Sequence, residues 1–215
     1  MTDVVLQTAL AYLLGTLMGG QIIGWLRGGV DLRKQGSGNL GATNALRTQG
    51  VKFALAVLLI DVLKGVVAST LVPLLPTIDA PIVSRENQAY LCGVAVALGH
   101  CYPVSAGFKG GKGVATLAGV FGALMPLSLL LMLPVFVLTV IATGYVSLAT
   151  IAATSMALFY VACVGSAGLL SPAGAFTGAM AALVVFKHRE NLVRLARGTE
   201  NRFEKAMVWR KWRKH

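Results

Sequence analysis

Residues 113–186 constrain this chain most. They form 74 consecutive positions without a charged side chain or a histidine. A water-soluble domain usually carries about 25% charged residues, and no soluble surface can be built from so long a stretch without them. Across the whole chain the charged fraction is 13% and the apolar fraction 56%, with a mean hydropathy of +0.73. These values exclude a soluble globular enzyme, a disordered chain and a free nucleic-acid-binding domain. An all-α, polytopic integral membrane protein remains.

The net charge of +11 arises from 19 Lys and Arg against 8 Asp and Glu. Seventeen of the basic residues fall in four blocks, Arg27 to Lys34, Arg47 to Lys52, Lys109 to Lys112 and Lys187 to Lys214; Lys64 and Arg85 lie elsewhere. The blocks flank apolar runs, so the positive-inside rule explains them as cytoplasmic segments and no nucleic-acid partner is needed. Cys92, Cys101 and Cys163 are odd in number, fit no metal spacing and read as small core residues. The first apolar run lacks a basic leader and continues to about Trp25, as expected of a retained span.

A crossing needs about 20 apolar residues. The first span is expected over roughly 4–26, the second over 53–75 and the third over 88–106. Between the first two lies a polar basic-side loop at 27–50. Pro76 to Asn87, with Asp79, Arg85 and Glu86, forms an outside loop. The uncharged stretch starts and ends on the basic side, so it crosses an even number of times. Four crossings fit it, one or two of them short or broken, with Pro126 and Pro134 interrupting the first half and Gly165 to Gly174 the second. Seven transmembrane helices result, with the N-terminus outside and the C-terminus cytoplasmic. No internal repeat is visible, which argues against a duplicated transporter.

Polar residues concentrate in three basic-side motifs. The first, Gly36-Ser37-Gly38-Asn39-Leu40-Gly41-Ala42-Thr43-Asn44-Ala45-Leu46-Arg47, contains G-x-G-x-x-G, but a membrane span precedes it where a dinucleotide fingerprint requires a strand. Its local chemistry still suits an anion. Glycines can turn backbone N–H groups into a nest, Ser37, Asn39, Thr43 and Asn44 add short polar groups, and Arg47 adds a guanidinium fork. The second, Gly107-Phe108-Lys109-Gly110-Gly111-Lys112-Gly113, falls short of a P-loop. Three residues separate Gly107 from Gly111, and Gly113 replaces the magnesium-binding hydroxyl. A glycine turn carrying Lys112 into an apolar helix nonetheless suits phosphate.

The third motif runs His188-Arg189-Glu190-Asn191-Leu192-Val193-Arg194 and on to Glu200. If the last helix continues through it, His188 and Asn191 share a face with Arg194 at the margin. Inside the second span, Asp61 and Lys64 sit three apart and either pair with one another or face the basic-side pocket. Ser147 falls where the chain returns to the cytoplasmic side. Residues 187–215 hold ten basic and three acidic side chains. With Trp209 and Trp212 they are expected to rest on an anionic leaflet, at about 1 kcal/mol per nearby basic residue.

Taken in order, Ser37 to Arg47, Asp61/Lys64-Gly65, Gly99-His100 through Phe108 to Thr116, Tyr145 to Leu148, and His188-x-x-Asn-x-x-Arg to Glu200 form a joint pattern that resembles the bacterial acyl-phosphate:glycerol-3-phosphate acyltransferases, the PlsY family. Gly144 departs from the basic residue that pattern carries, and Thr150 stands where Ser is usual. The resemblance implies a seven-helix inner-membrane enzyme with its site facing the cytoplasm. Its reaction moves a fatty acyl group from acyl-phosphate to the sn-1 hydroxyl of glycerol 3-phosphate, giving lysophosphatidic acid and phosphate, the first acylation of phospholipid synthesis. It implies no cofactor and no metal, and membrane lipids as neighbours.

By the same resemblance, Ser37, Arg47, Lys112, Ser147, His188 and Asn191 bind the substrate head groups. Gly38, Asn39, Gly41, Thr43, Asn44, Lys109, Gly110, Gly111, Gly113 and Arg194 complete the cradle, and Asp61, Lys64, His100 and Glu200 support it. These stretches are expected to meet at the inner leaflet. His188 and Asn191 are the candidate catalytic pair, with either His188 or a substrate phosphate as the base. No Ser-His-Asp set is visible, and His-x4-Asp is absent: Ser105 and Val193 occupy the positions five after His100 and His188. An organic-phosphate transporter would use similar residues, but an odd span count with every motif on one face disfavours alternating access.

Overall fold

The computed structural model describes residues 1–78, 80–164 and 168–207. Among them every regular element is helical. The chain divides into two compact units, Met1–Pro126 and Leu127–His215. Asp79, Trp209, Trp212 and residues 165–167 lie outside the described residues.

In the first unit, α1 (Thr2–Gly15) bends by 46° into α2 (Gly19–Leu26), so the expected first span is a broken one. The cause is visible at the break. Thr16 donates its hydroxyl back to the Leu13 carbonyl at 2.7 Å, while Gly19 N donates to Asp61 Oδ1 at 3.2 Å and Lys64 Nζ donates to the Leu17 carbonyl at 2.8 Å. Backbone groups released at membrane depth must find partners within the protein, and this pair of charges supplies them. A short α3 (Ala42–Thr48) precedes α4 (Val51–Thr70), and α5 (Arg85–Cys101) and α6 (Val114–Leu124) follow. Glycines set the spacing. A Cβ on Gly99 would strike the Tyr12 carbonyl and one on Gly119 the Val62 carbonyl, so α1 meets α5, and α4 meets α6, backbone to backbone.

The second unit holds α7 (Pro126–Thr143), α8 (Val146–Val164), α9 (Pro172–Lys187) and α10 (Arg189–Ala196). Pro126 opens α7, but Pro134 lies inside it without interrupting it. A proline removes one N–H and crowds one carbonyl, and a long apolar helix absorbs that. Leu127, Leu130, Leu133, Val137 and Leu138 of α7 are exposed, as suits lipid contact. On α8, Ala149, Ala153, Ala157 and Val161 are buried at a spacing of four, and Phe176, Met180 and Val184 of α9 are buried as well. Small side chains on one face of α8 admit its packing against α9.

Among the described residues, four helices are long and apolar enough to cross a membrane by themselves, five when the bent α1–α2 pair counts as one. Among its described residues the uncharged stretch forms four α-helices, of which α6 with 11 residues and α9 with 16 are the short ones.

Candidate active site

In the first unit, Asn44 organises the glycine-rich loop. It is 2% exposed. Its Oδ1 accepts from Ser37 N at 2.9 Å, and its Nδ2 lies 2.9–3.1 Å from the carbonyls of Leu32, Gln35 and Asn39. Gly36 lies at φ +54° directly on that amide, where a Cβ would collide with Asn44 Oδ1. Leu32, Leu40, Met18, Phe53 and Val57 form the apolar floor below. Three backbone N–H groups of the expected nest already have partners within the loop. Ser37 N is taken by Asn44, Gly38 N by the Gln35 carbonyl at 3.0 Å and Gly41 N by Asn39 Oδ1 at 2.9 Å. Asn39 and Asn44 thereby shape the loop, while Ser37, Thr43 and Arg47 stand on its exposed surface. Gln35 also belongs to this scaffold, through a 2.6 Å hydrogen bond from Gln49 Nε2, and no spacing rule marks either residue.

The second glycine turn lies on the end of α5. Gly111 N donates to the His100 carbonyl at 3.1 Å. Gly110 packs on that carbonyl and Gly111 on the imidazole, closely enough that a Cβ on either would collide. Lys109 is exposed and Lys112 half-buried. Gly113, at φ +79°, caps α6 without a side-chain hydrogen bond to its first turn. Phe108, a non-glycine residue at positive φ (61°), is exposed. Beneath the turn, Asp61 and Lys64 pair at 2.8 Å with side chains 1% and 4% exposed, and His100 Nδ1 lies 3.5 Å from Asp61 Oδ1 and 3.1 Å from Thr116 Oγ1.

In the second unit the expected continuous helix through His188 is not formed. His188 ends α9 at φ −103° and ψ 5°, and α10 starts beyond it. The kink has a local cause, since the ring folds onto its own helix, with Nδ1 2.8 Å from the Val184 carbonyl. A carbonyl can only accept, so Nδ1 carries the proton and Nε2 is the acceptor of the neutral ring. His188 and Asn191 are both buried.

Glu200 gathers the rest. Its Oε1 accepts from Ser147 Oγ at 3.0 Å and Asn191 Nδ2 at 2.6 Å, and its Oε2 from Arg194 Nε at 2.7 Å. Burial opposes ionisation of this carboxyl, but the bonds from Asn191, Arg194 and Ser147 outweigh it and hold the pKa below the usual glutamate value. The segment after it folds onto the α7–α8 turn. Phe203 N donates to the Gly144 carbonyl at 2.7 Å, and Arg202 Nε to the Thr143 carbonyl at 2.9 Å, with its guanidinium 5.2 Å from the Tyr145 ring centre. Arg202 and Phe203 thus tie this segment to the α7–α8 turn, and Met207 is buried, while Thr199, Asn201 and Glu204 remain exposed. Gly144, at φ +74°, has the Arg202 side chain where its Cβ would be.

A group whose folded pKa is depressed stabilises the fold above its unfolded pKa, and that contribution is lost as pH falls through the folded value. Glu200→Gln is accordingly expected to lower stability near neutrality by about 1–3 kcal/mol, the worth of charge-assisted bonds. It should also flatten the acid-side loss below about pH 4.3, the ordinary glutamate value. Thermal unfolding in detergent at several pH values measures both.

Long apolar helices, with α7 exposed along most of its length, and hydroxyl, amide and cationic side chains on short elements and loops define an integral membrane enzyme that handles anionic groups. Among the described residues no cluster of three His, Cys, Asp or Glu could hold a metal. The chain belongs to the glycerol-3-phosphate acyltransferase family, whose model matches residues 5–198. It is 46% identical to the glycerol-3-phosphate acyltransferase of Geotalea daltonii over 91% of this chain and 95% of that one. With the enzyme of Geobacter sulfurreducens it shares 42% over 95% and 100%. Its fold is similar to the crystal structure of PlsY (YgiH), an integral membrane glycerol 3-phosphate acyltransferase, in its glycerol 3-phosphate form. The TM-score is 0.82 at 38% identity, over 93% of this chain and 95% of that one. The lysophosphatidic acid form matches with a TM-score of 0.79.

Proposed function

We propose that residues 1–215 act as one acyltransferase domain that moves a fatty acyl group from acyl-phosphate to the sn-1 hydroxyl of glycerol 3-phosphate, releasing lysophosphatidic acid and phosphate. The observation that carries this reading is the 38% identity, over 93% of this chain, to a PlsY solved in glycerol 3-phosphate and lysophosphatidic acid forms. The basic blocks favour a site on the cytoplasmic face of the bacterial inner membrane. The proposed topology has seven crossings, by α1–α2 together, α4, α5, α6, α7, α8 and α9, with the N-terminus outside and the C-terminus cytoplasmic.

Both substrates are anionic, which assigns work to the cations. Ser37, Thr43 and Arg47 on the first loop, Lys109 and Lys112 with the Gly110–Gly111 turn, and Ser147 with Arg194 bind phosphate oxygens. Asn39, Asn44, Gly38, Gly41 and Gly113 fix the backbone that presents them. Transfer is direct. The sn-1 oxygen attacks the acyl carbonyl carbon, its proton passes to a substrate phosphate oxygen or to His188 Nε2, and the carbon–oxygen bond to phosphate breaks. Asn191 donates to the developing oxyanion. A phosphate held by Arg and Lys leaves as an anion and needs no general acid.

The test is phosphate release by the purified protein with acyl-phosphate and glycerol 3-phosphate, using acyl-CoA as the alternative donor. Release that requires both substrates, with no transfer from acyl-CoA, is expected. Transfer from acyl-CoA at a comparable rate, or an acyl group trapped on the protein, would overturn the donor or the direct step.

A further inference from the structure

The imidazole of His100 is 2% exposed and lies under the turn that carries Lys112. It touches the chain on both sides of that lysine. On one side Gly111 rests on the ring, so closely that a Cβ there would collide with Nε2, Cδ2 and Cε1, and Gly111 N donates to the His100 carbonyl at 3.1 Å. On the other, Nδ1 is 3.1 Å from Oγ1 of Thr116, a fully buried residue in the first turn of α6. The ring is itself held from behind. Asp61 Oδ1 lies 3.5 Å from Nδ1 and is fixed by Lys64 at 2.8 Å and by Gly19 N at 3.2 Å.

We propose that His100 is a positioning residue for the acyl transfer: the plane of its ring sets the height of the Gly110–Gly111 turn, and its bond to Thr116 sets the start of α6, so that Lys112 is presented to a substrate phosphate in one orientation. This rests on the functional reading above, in which Lys112 binds phosphate. The glycines follow from the same geometry. Positions 110 and 111 have no Cβ because the turn lies flat on the end of α5, and Gly113, which caps α6 at φ +79°, has the Cys101 thiol 3.2 Å from where a Cβ would be. A displacement of about 1 Å at a substrate-binding group costs on the order of a hundredfold in rate, so a ring-sized void beneath Lys112 has a large kinetic effect without any contact between His100 and substrate.

The experiment is a double-mutant cycle between ring and turn, with thermal stability recorded for each variant. Gly111→Ala is expected to lower kcat/KM by about a hundredfold, and His100→Ala to raise the KM of a phosphate substrate about tenfold, each measured per folded molecule. In the double variant His100→Ala/Gly111→Ala the methyl occupies the vacated space, and kcat/KM should recover at least about tenfold over Gly111→Ala alone. Thr116→Val, isosteric and without the hydroxyl bond, should raise the same KM severalfold. Protection against heat by inorganic phosphate should weaken in step with KM, giving a binding readout without turnover. Losses that simply multiply in the double variant, or variants that lose stability or active fraction while KM and phosphate protection hold, overturn the proposal. Where His100→Ala does not fold, Thr116→Val and His100→Phe, which keeps the plate and loses Nδ1, decide it by the same KM and phosphate readouts. A wild-type protein that fails to release phosphate from acyl-phosphate and glycerol 3-phosphate defeats the functional reading instead.

Discussion

His188→Asn is expected to lower turnover by about 10²–10⁴-fold, the usual worth of a positioned general base, while glycerol 3-phosphate binding stays measurable. The asparagine amide occupies the place of Nδ1 and can still donate to the Val184 carbonyl, which the imidazole holds at 2.8 Å. The end of α9 and the start of α10 at Arg189 should therefore survive. What disappears is Nε2, the atom the bond to Val184 leaves as the acceptor of the neutral ring. Steady-state kinetics with a direct binding measurement separates three cases. A fall in kcat with binding retained places the base at His188. Equal loss of both makes His188 a binder. Unchanged turnover moves the proton to the phosphate of the substrate, and the pH–rate profile should then follow the substrate's own ionisation.

The parts of this enzyme that depend on local pattern were readable before any coordinates. An uncharged run of 74 residues has to cross a membrane repeatedly, and four helices occupy it. Spacing also placed Asp61 and Lys64 one turn apart on a helix, and they pair. What stayed hidden depends on partners far apart in sequence. Nothing near Thr16 announces a 46° bend, because its stabilising groups are 42 and 47 residues further along the chain. Pro134 looked like a breaker because proline penalties are local, whereas a lipid-facing helix has neighbouring turns to spare. In the first loop, composition alone could not tell an amide that meets substrate from one that meets backbone. Asn44 and Asn39 accept from two of the loop's own N–H groups, those of Ser37 and Gly41.

The third motif shows the same limit from the other side. Glu200 was visible as one of three acids in a basic segment, but its three partners include Ser147, 53 residues away. Its role as the anchor of Asn191 and Arg194 belongs to tertiary structure. The break at His188 likewise follows from a side chain choosing its own helix carbonyl over solvent, a choice that helical periodicity does not encode.

Breaking the Asp61–Lys64 pair from one side is expected to have the largest effect on stability. Lys64→Met removes the 2.8 Å partner of a carboxylate that is 1% exposed and also strips the Leu17 carbonyl of its donor at the α1–α2 break. Removing one member of a buried pair costs about 3–5 kcal/mol because the remaining charge is uncompensated, which is of the order of a whole domain's net stability. Asp61→Asn/Lys64→Met removes both charges while the asparagine Oδ1 still accepts from Gly19 N, now 3.2 Å from the carboxylate. The double variant should therefore regain more than half of what Lys64→Met loses, as judged by thermal unfolding and survival in detergent. Recovery identifies the desolvated charge as the main cost of the single change. If the double variant is as unstable as the sum of the two single changes, the bend depends on the ion pair itself, and the donor to Leu17 rather than the charge on Asp61 is what the membrane-embedded break cannot lose.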